Sequence, residues 1–236
     1  MRKLKDMTVE ELAAALKAAS DSHSLKRFNI LHRQFERKRG IPILASHGIY
    51  LTPDLDDPET FNNERFASLF LVTWKRIPKP AQDMMLDSWK KLRNTPPRPG
   101  HLVPYISLCL SRHGWTGFPS IKEAVFASVY TPTQSILFFG PIIDRTPDQH
   151  VITIIAHELA HVYRGLEFPQ KYGYPAEGRE PKQEEKVADA CARKWGFDMR
   201  SLYRWFRSDE CENLCMCVMR KYKVKQKPED FPDDAD

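Results

Sequence analysis

The segment 151–164, VITIIAHELAHVYR, constrains the fold more than any other stretch of the chain. It is mostly apolar, so it belongs in a core, and Val151, Ile152, Ile154 and Ile155 read as the residues that hold it there. Yet it carries His157, Glu158 and His161. Burying three ionisable groups costs free energy unless each finds a partner. On a helix, residues four apart stand one turn above each other on the same face, so both imidazoles reach a single point beside it. That point suits a divalent ion, and Glu158, rotated off the line joining the histidines, is placed to take a proton from a metal-bound water. The alternative is a buried helix whose two histidines bond to backbone carbonyls.

Two protein ligands are too few. Catalytic zinc normally has three, with a position left open for water. In HExxHxxGxxH the third is a histidine after a glycine turn, but HELAHVYRGLE has Arg164 at the glycine position and Glu167 at the last histidine position. No histidine follows His161 anywhere, which leaves a downstream carboxylate: Glu167, Glu177, Glu180, Glu184, Glu185 or Asp189. EEKVADACARKWGF discriminates among these, because it predicts a helix with Val187, Ala188, Cys191, Ala192 and Trp195 on its apolar face. Glu185 and Asp189 lie one turn apart near that face, where like charges repel unless a cation compensates them. Glu185 is then the expected metal ligand, and Asp189 the acceptor for the far nitrogen of a ligand histidine. Glu184 is the fallback, turned about 100° away. An acid-rich first turn favoured by the helix dipole is the competing explanation of the same residues.

With HELAH and EKVAD both in view, the chain resembles the gluzincin-type zinc metallopeptidases, most closely the cytosolic ImmA/IrrE-like branch. The resemblance spans 124–197. It implies His157, His161 and Glu185 as Zn2+ ligands, Glu158 as general base, Asp189 behind the ligands, and hydrolysis of peptide bonds in a protein or peptide substrate. It also implies a zincin-like core. The interval VYRGLEFPQKYGYPAEGREPKQ is longer than in that branch. Tyr172, Tyr174, Tyr203 and Arg204 are of the right type to steady an oxyanion, and nothing in the sequence chooses among them.

The rest of the chain predicts a helix-rich α+β protein. Thr8 and Glu11 make a capping box ahead of a helix over 9–19, and a basic helix is expected over 24–39. A turn-rich loop is expected over 45–63, then helices near 64–74 and 81–92. LVPYISLCL is β-prone, and AVFASVY with QSILFF predicts an antiparallel hairpin, hence a small antiparallel sheet. An exposed strand of that hairpin, within 124–139, would suit an extended substrate added edge to edge. The segment 140–149 is expected to be a loop. The expected organisation is an N-terminal helical region over 1–95 packed on a catalytic domain over 96–222, with a disordered acidic tail over 223–236.

The net charge of +5 is modest but uneven. LKRFNILHRQFERKRG, over 25–40, is the basic stretch; it is either the solvated side of an amphipathic helix over Leu25, Phe28, Leu31 and Phe35 or a nucleic-acid contact. The second possibility carries an alternative function, a regulatory or nucleic-acid-associated protein in which hydrolysis is absent or secondary. Five cysteines, Cys109, Cys191, Cys211, Cys215 and Cys217, show no disulfide framework. CENLCMC is read as part of a helix interface in preference to a soft-metal site. The start lacks the apolar run of a signal peptide, and no segment approaches the length of a membrane span, so a cytoplasmic protein without membrane contact is expected.

Overall fold

A computed structural model describes residues 3–22, 24–52, 62–94, 106–109, 126–130, 134–167 and 181–223. Within them the chain is helix-rich α+β. The first helix, α1 (Val9–Asp21), begins with the expected capping box: the Glu11 amide donates to Thr8 Oγ1 at 3.2 Å, and the Thr8 amide donates to Glu11 Oε2 at 2.7 Å. Leu12, Leu16 and Ala19 of α1 pack on Leu31 and Phe35 of α2 (Leu25–Arg39), forming a small apolar cluster of their own.

This helical pair joins the main body through polar contacts. Glu36, fully buried on α2, receives Arg93 Nη1 at 3.1 Å and Thr52 Oγ1 at 3.3 Å. His32 Nδ1 lies 3.8 Å from the same carboxylate, and Arg33 donates to the Arg93 carbonyl.

Among the described residues five short strands form one mixed sheet in the order β1-β2-β3-β5-β4. They are β1 (Ile41–Leu44), β2 (Ile49–Leu51), β3 (Ile106–Cys109), β4 (Ala127–Tyr130) and β5 (Ser135–Phe139). The hairpin is present, with Ala127 opposite Phe138 and Tyr130 opposite Ser135. A purely antiparallel sheet is not: β3 runs parallel to both β2 and β5. The reason is the connection, since the helices α3 (Asn63–Arg76) and α4 (Lys79–Asn94) intervene between β2 and β3 and return the chain in the same direction.

The expected loop over 45–63 needs a second correction, because β2 falls inside it and pairs with β1. Gly48, at φ 70°, makes the left-handed turn before β2, and Pro42 is tolerated because β1 is an edge strand. Likewise the expected loop over 140–149 holds a one-turn helix, α5 (Gly140–Ile143), and the first turn of α6 (Asp148–Glu167). Of the tail expected over 223–236, Lys223 ends the last helix and 224–236 lie outside the described residues.

Helix α6 runs through the middle of the body. It packs against α3, α4, β4, α7 (Pro181–Lys194) and α8 (Met199–Phe206). Val151, Ile155, Ala156, Leu159 and Ala160 are fully buried, which explains the apolar sequence around its histidines. The last helix, α9 (Asp209–Lys223), packs on α8.

Asn62 caps α3, accepting the Arg65 amide on Oδ1 at 3.0 Å. Arg65 itself reaches across to the approach to α6. It donates to the carbonyls of Ile143 (3.0 Å) and Thr146 (2.6 Å) and to Asp148 Oδ1 (2.9 and 2.6 Å). Among the described residues no helix is long and apolar enough to cross a membrane.

Candidate metal centre

Helices α6 and α7 pack directly on each other, and this contact brings His157, His161 and Glu185 together. The imidazoles meet with rings nearly perpendicular, at 85°, and their Nε2 atoms are 3.1 Å apart. Glu185 spans both: Oε2 lies 3.0 Å from His157 Nε2, and Oε1 lies 3.4 Å from His161 Nε2. Bonds of 2.0–2.2 Å in a tetrahedral arrangement would separate ligand atoms by about 3.3–3.6 Å. The donor atoms, 3.0–3.4 Å apart, need to open by only a few tenths of an ångström to reach it, and two imidazoles with one carboxylate are a donor set that suits zinc.

The surroundings favour positive charge at the centre of this triangle. Burial works against a charged His157, but the carboxylates of Asp189 and Glu185, one on each ring nitrogen, outweigh it and push its pKa up to about 10. The Glu185 carboxyl is held far below the usual range by His157 first and then His161. A cation bound between them meets the same field.

Behind His157, Asp189 is 8% exposed, and its Oδ1 lies 3.0 Å from His157 Nδ1; among the described residues neither atom makes a hydrogen bond elsewhere. A carboxylate there favours the tautomer with the proton on Nδ1, which leaves the Nε2 lone pair facing the triangle. Asp189 Oδ2 accepts the Tyr203 hydroxyl at 2.8 Å.

Glu158 is 7% exposed. Burial raises its carboxyl pKa; His157 and His161 oppose the rise, and Glu185 adds to it. It therefore sits within the electrostatic reach of the whole triangle, with its proton affinity raised above that of an ordinary carboxylate.

Of the other carboxylates considered for the third position, Glu184 is half-buried on α7 and is not part of the triangle. The side chain of Glu167, together with Glu177 and Glu180, lies outside the described residues, as do Tyr172 and Tyr174. Arg204 is exposed on α8. Tyr203 commits its proton to Asp189, a role its residue type alone does not reveal; only the packing of α8 beside α7 brings the two together. Of the thiols of CENLCMC, Cys211 and Cys215 lie together, buried on one face of α9, and Cys217 is exposed, in keeping with an interface helix. Five of the α2 cations, Lys26, Arg27, Arg37, Lys38 and Arg39, are exposed, while Leu31 and Phe35 face inward.

Compared with protein-family models, curated proteins and solved structures, the chain matches none of them.

Proposed function

We propose that this chain is a zinc-dependent peptidase with a zincin-like core, similar to the gluzincin type and nearest its ImmA/IrrE-like branch. The observation that carries the proposal is the donor triangle of His157, His161 and Glu185 close to metal-ligand spacing, with the buried Glu158 beside it. When bound, a divalent ion supplies Lewis acidity, which acidifies a water and polarises a carbonyl.

The remaining work falls to side chains of this protein. Glu158 takes the proton from the attacking water, which its raised proton affinity favours, and then delivers it to the leaving amine. Asp189 keeps His157 in the tautomer that leaves Nε2 free to ligate. Strand β4 lies at the sheet edge against α6, so an extended segment of a protein substrate has a backbone edge to pair with close to the centre.

The test uses an unfolded protein substrate and a Glu158→Gln variant. The wild type should cleave it, and the variant should keep its zinc while losing about 10²–10⁴-fold in rate, the range for a general base. A variant that binds zinc and cleaves at the wild-type rate removes the mechanism.

The exposed cations of α2 favour a second reading, association with nucleic acid. The only acidic residue on that helix, Glu36, is buried against Arg93. Retention on duplex DNA that weakens steeply with salt would support it, and absence of retention at low salt would eliminate it.

A further inference from the structure

We infer that Tyr203 is a positioning residue for the metal centre: its hydroxyl pins the Asp189 carboxylate and, through it, the orientation and tautomer of His157. The inference rests on His157, His161 and Glu185 being metal ligands, and it goes beyond them to a third helix.

The contacts run in one line. Tyr203 OH donates to Asp189 Oδ2 at 2.8 Å, and Asp189 Oδ1 lies 3.0 Å from His157 Nδ1. A carboxylate on a helix rotates about its terminal bond, so one oxygen aimed at His157 needs the other anchored. The phenol supplies the anchor without competing for the imidazole, because it has a single proton and that proton points at Oδ2.

Tyr203 is itself held in place. Asp198 caps α8, accepting the Ser201 amide at 2.9 Å. Trp205 of the same helix stacks on His150 of α6, with centroids 4.7 Å apart and planes 20° apart. The Tyr203 ring meets Phe206 edge to face at 6.0 Å. Helix α8 is thus fixed to the helix that bears both histidines, and the hydroxyl arrives from a rigid support. Burial, then the Asp189 carboxylate, raises the Tyr203 pKa well above the ordinary phenol value, so the donating proton remains in place at ordinary pH. Arg193 Nε donates to the Asp189 backbone carbonyl, so that among the described residues Tyr203 and His157 are the side chains in contact with the carboxylate oxygens.

The test is a double-mutant cycle read as zinc affinity, by competition with a chromogenic chelator. Asp189→Ala should weaken binding about tenfold to a hundredfold, as for other groups that orient a ligand histidine. Tyr203→Phe, which keeps the ring contact with Phe206, should weaken it about threefold to tenfold, the lower part of that scale, without moving the melting temperature of the zinc-free protein. In the Asp189→Ala background the tyrosine change should have no effect, because its route to the metal is gone. Wild-type affinity in Tyr203→Phe, or an equal loss in both backgrounds, overturns the inference while leaving the metal centre intact. Failure of the wild type to take up zinc removes the metal centre and the inference together.

Discussion

Replacing Arg65 by Ala tests how the histidine-bearing helix α6 is held at its start. Arg65 makes two kinds of contact across to that point. Its bonds to the Ile143 and Thr146 carbonyls, at 3.0 and 2.6 Å, are part-buried and come from a charged donor. Such bonds contribute about 1.5–3 kcal/mol each when fully desolvated, and about 1 kcal/mol is reasonable here because water can reach the carbonyls once the side chain is removed. The pair with Asp148 counts for less. The aspartate side chain is 64% exposed, which limits that pair to roughly 0–1 kcal/mol.

The total is about 2–3 kcal/mol, equivalent to a fall of roughly 4–12 °C in melting temperature for a chain of this size. Urea unfolding followed by circular dichroism reads the first quantity, and a thermal melt the second. Arg65→Lys should recover little, since an ammonium cannot fork between two carbonyls and a carboxylate. Zinc stoichiometry should be unchanged, because Arg65 touches no ligand. A loss below about 1 kcal/mol would show that water replaces the network at no cost and would refute the clamp.

Other expectations concern the docking of the N-terminal pair and the core. Arg93→Ala strands the fully buried Glu36 carboxylate and should cost about 3–5 kcal/mol, read as a drop in the denaturation midpoint; Glu36→Gln in the same background should restore part of it. His32 has its pKa pushed down to about 4, by burial first and then by Arg93, so the folded state binds its proton less readily than the unfolded chain does. Its contribution is fully present above about pH 6.5 and is lost as pH falls toward 4. Over that window the wild type should lose stability relative to His32→Phe in thermal melts, and a constant difference between the two would contradict this. Leu159→Ala, at a fully buried position on the helix between His157 and His161, should cost about 2–5 kcal/mol in the same assay.

Where local physics decides, the sequence was legible. The capping box at Thr8, the apolar stripe of α1 and the β-branched and aromatic run SILFF, buried along nearly its whole length, each follow from a local signal. The cluster of His157, His161 and Glu185 was legible for a related reason: His157 and His161 are on one helix, and Glu185 is marked by Asp189 one turn later beside an apolar face. What escaped depends on partners distant in the chain. Strand β2 is three residues long, too short to show alternation, and becomes a strand because β1 and β3 flank it. The parallel pairing of β3 follows from where α3 and α4 return the chain, which no local pattern records. Tyr203 looked like a donor toward substrate because residue type was all that could be read, and the direction of its hydroxyl is set by how α8 lies beside α7. Arg65 carried no motif at all; its value comes from carbonyls that converge only after folding.

The most direct measurement of the central claim is the zinc content of the purified protein, with Glu185→Ala and Glu184→Ala measured beside it. One zinc per chain in the wild type and in Glu184→Ala, lost in Glu185→Ala, is the expected result, since Glu185 alone of the two reaches the imidazoles. No metal in the wild type, even after zinc is added back, would mean that HELAH is a buried helix with two satisfied histidines, and the peptidase would go with it.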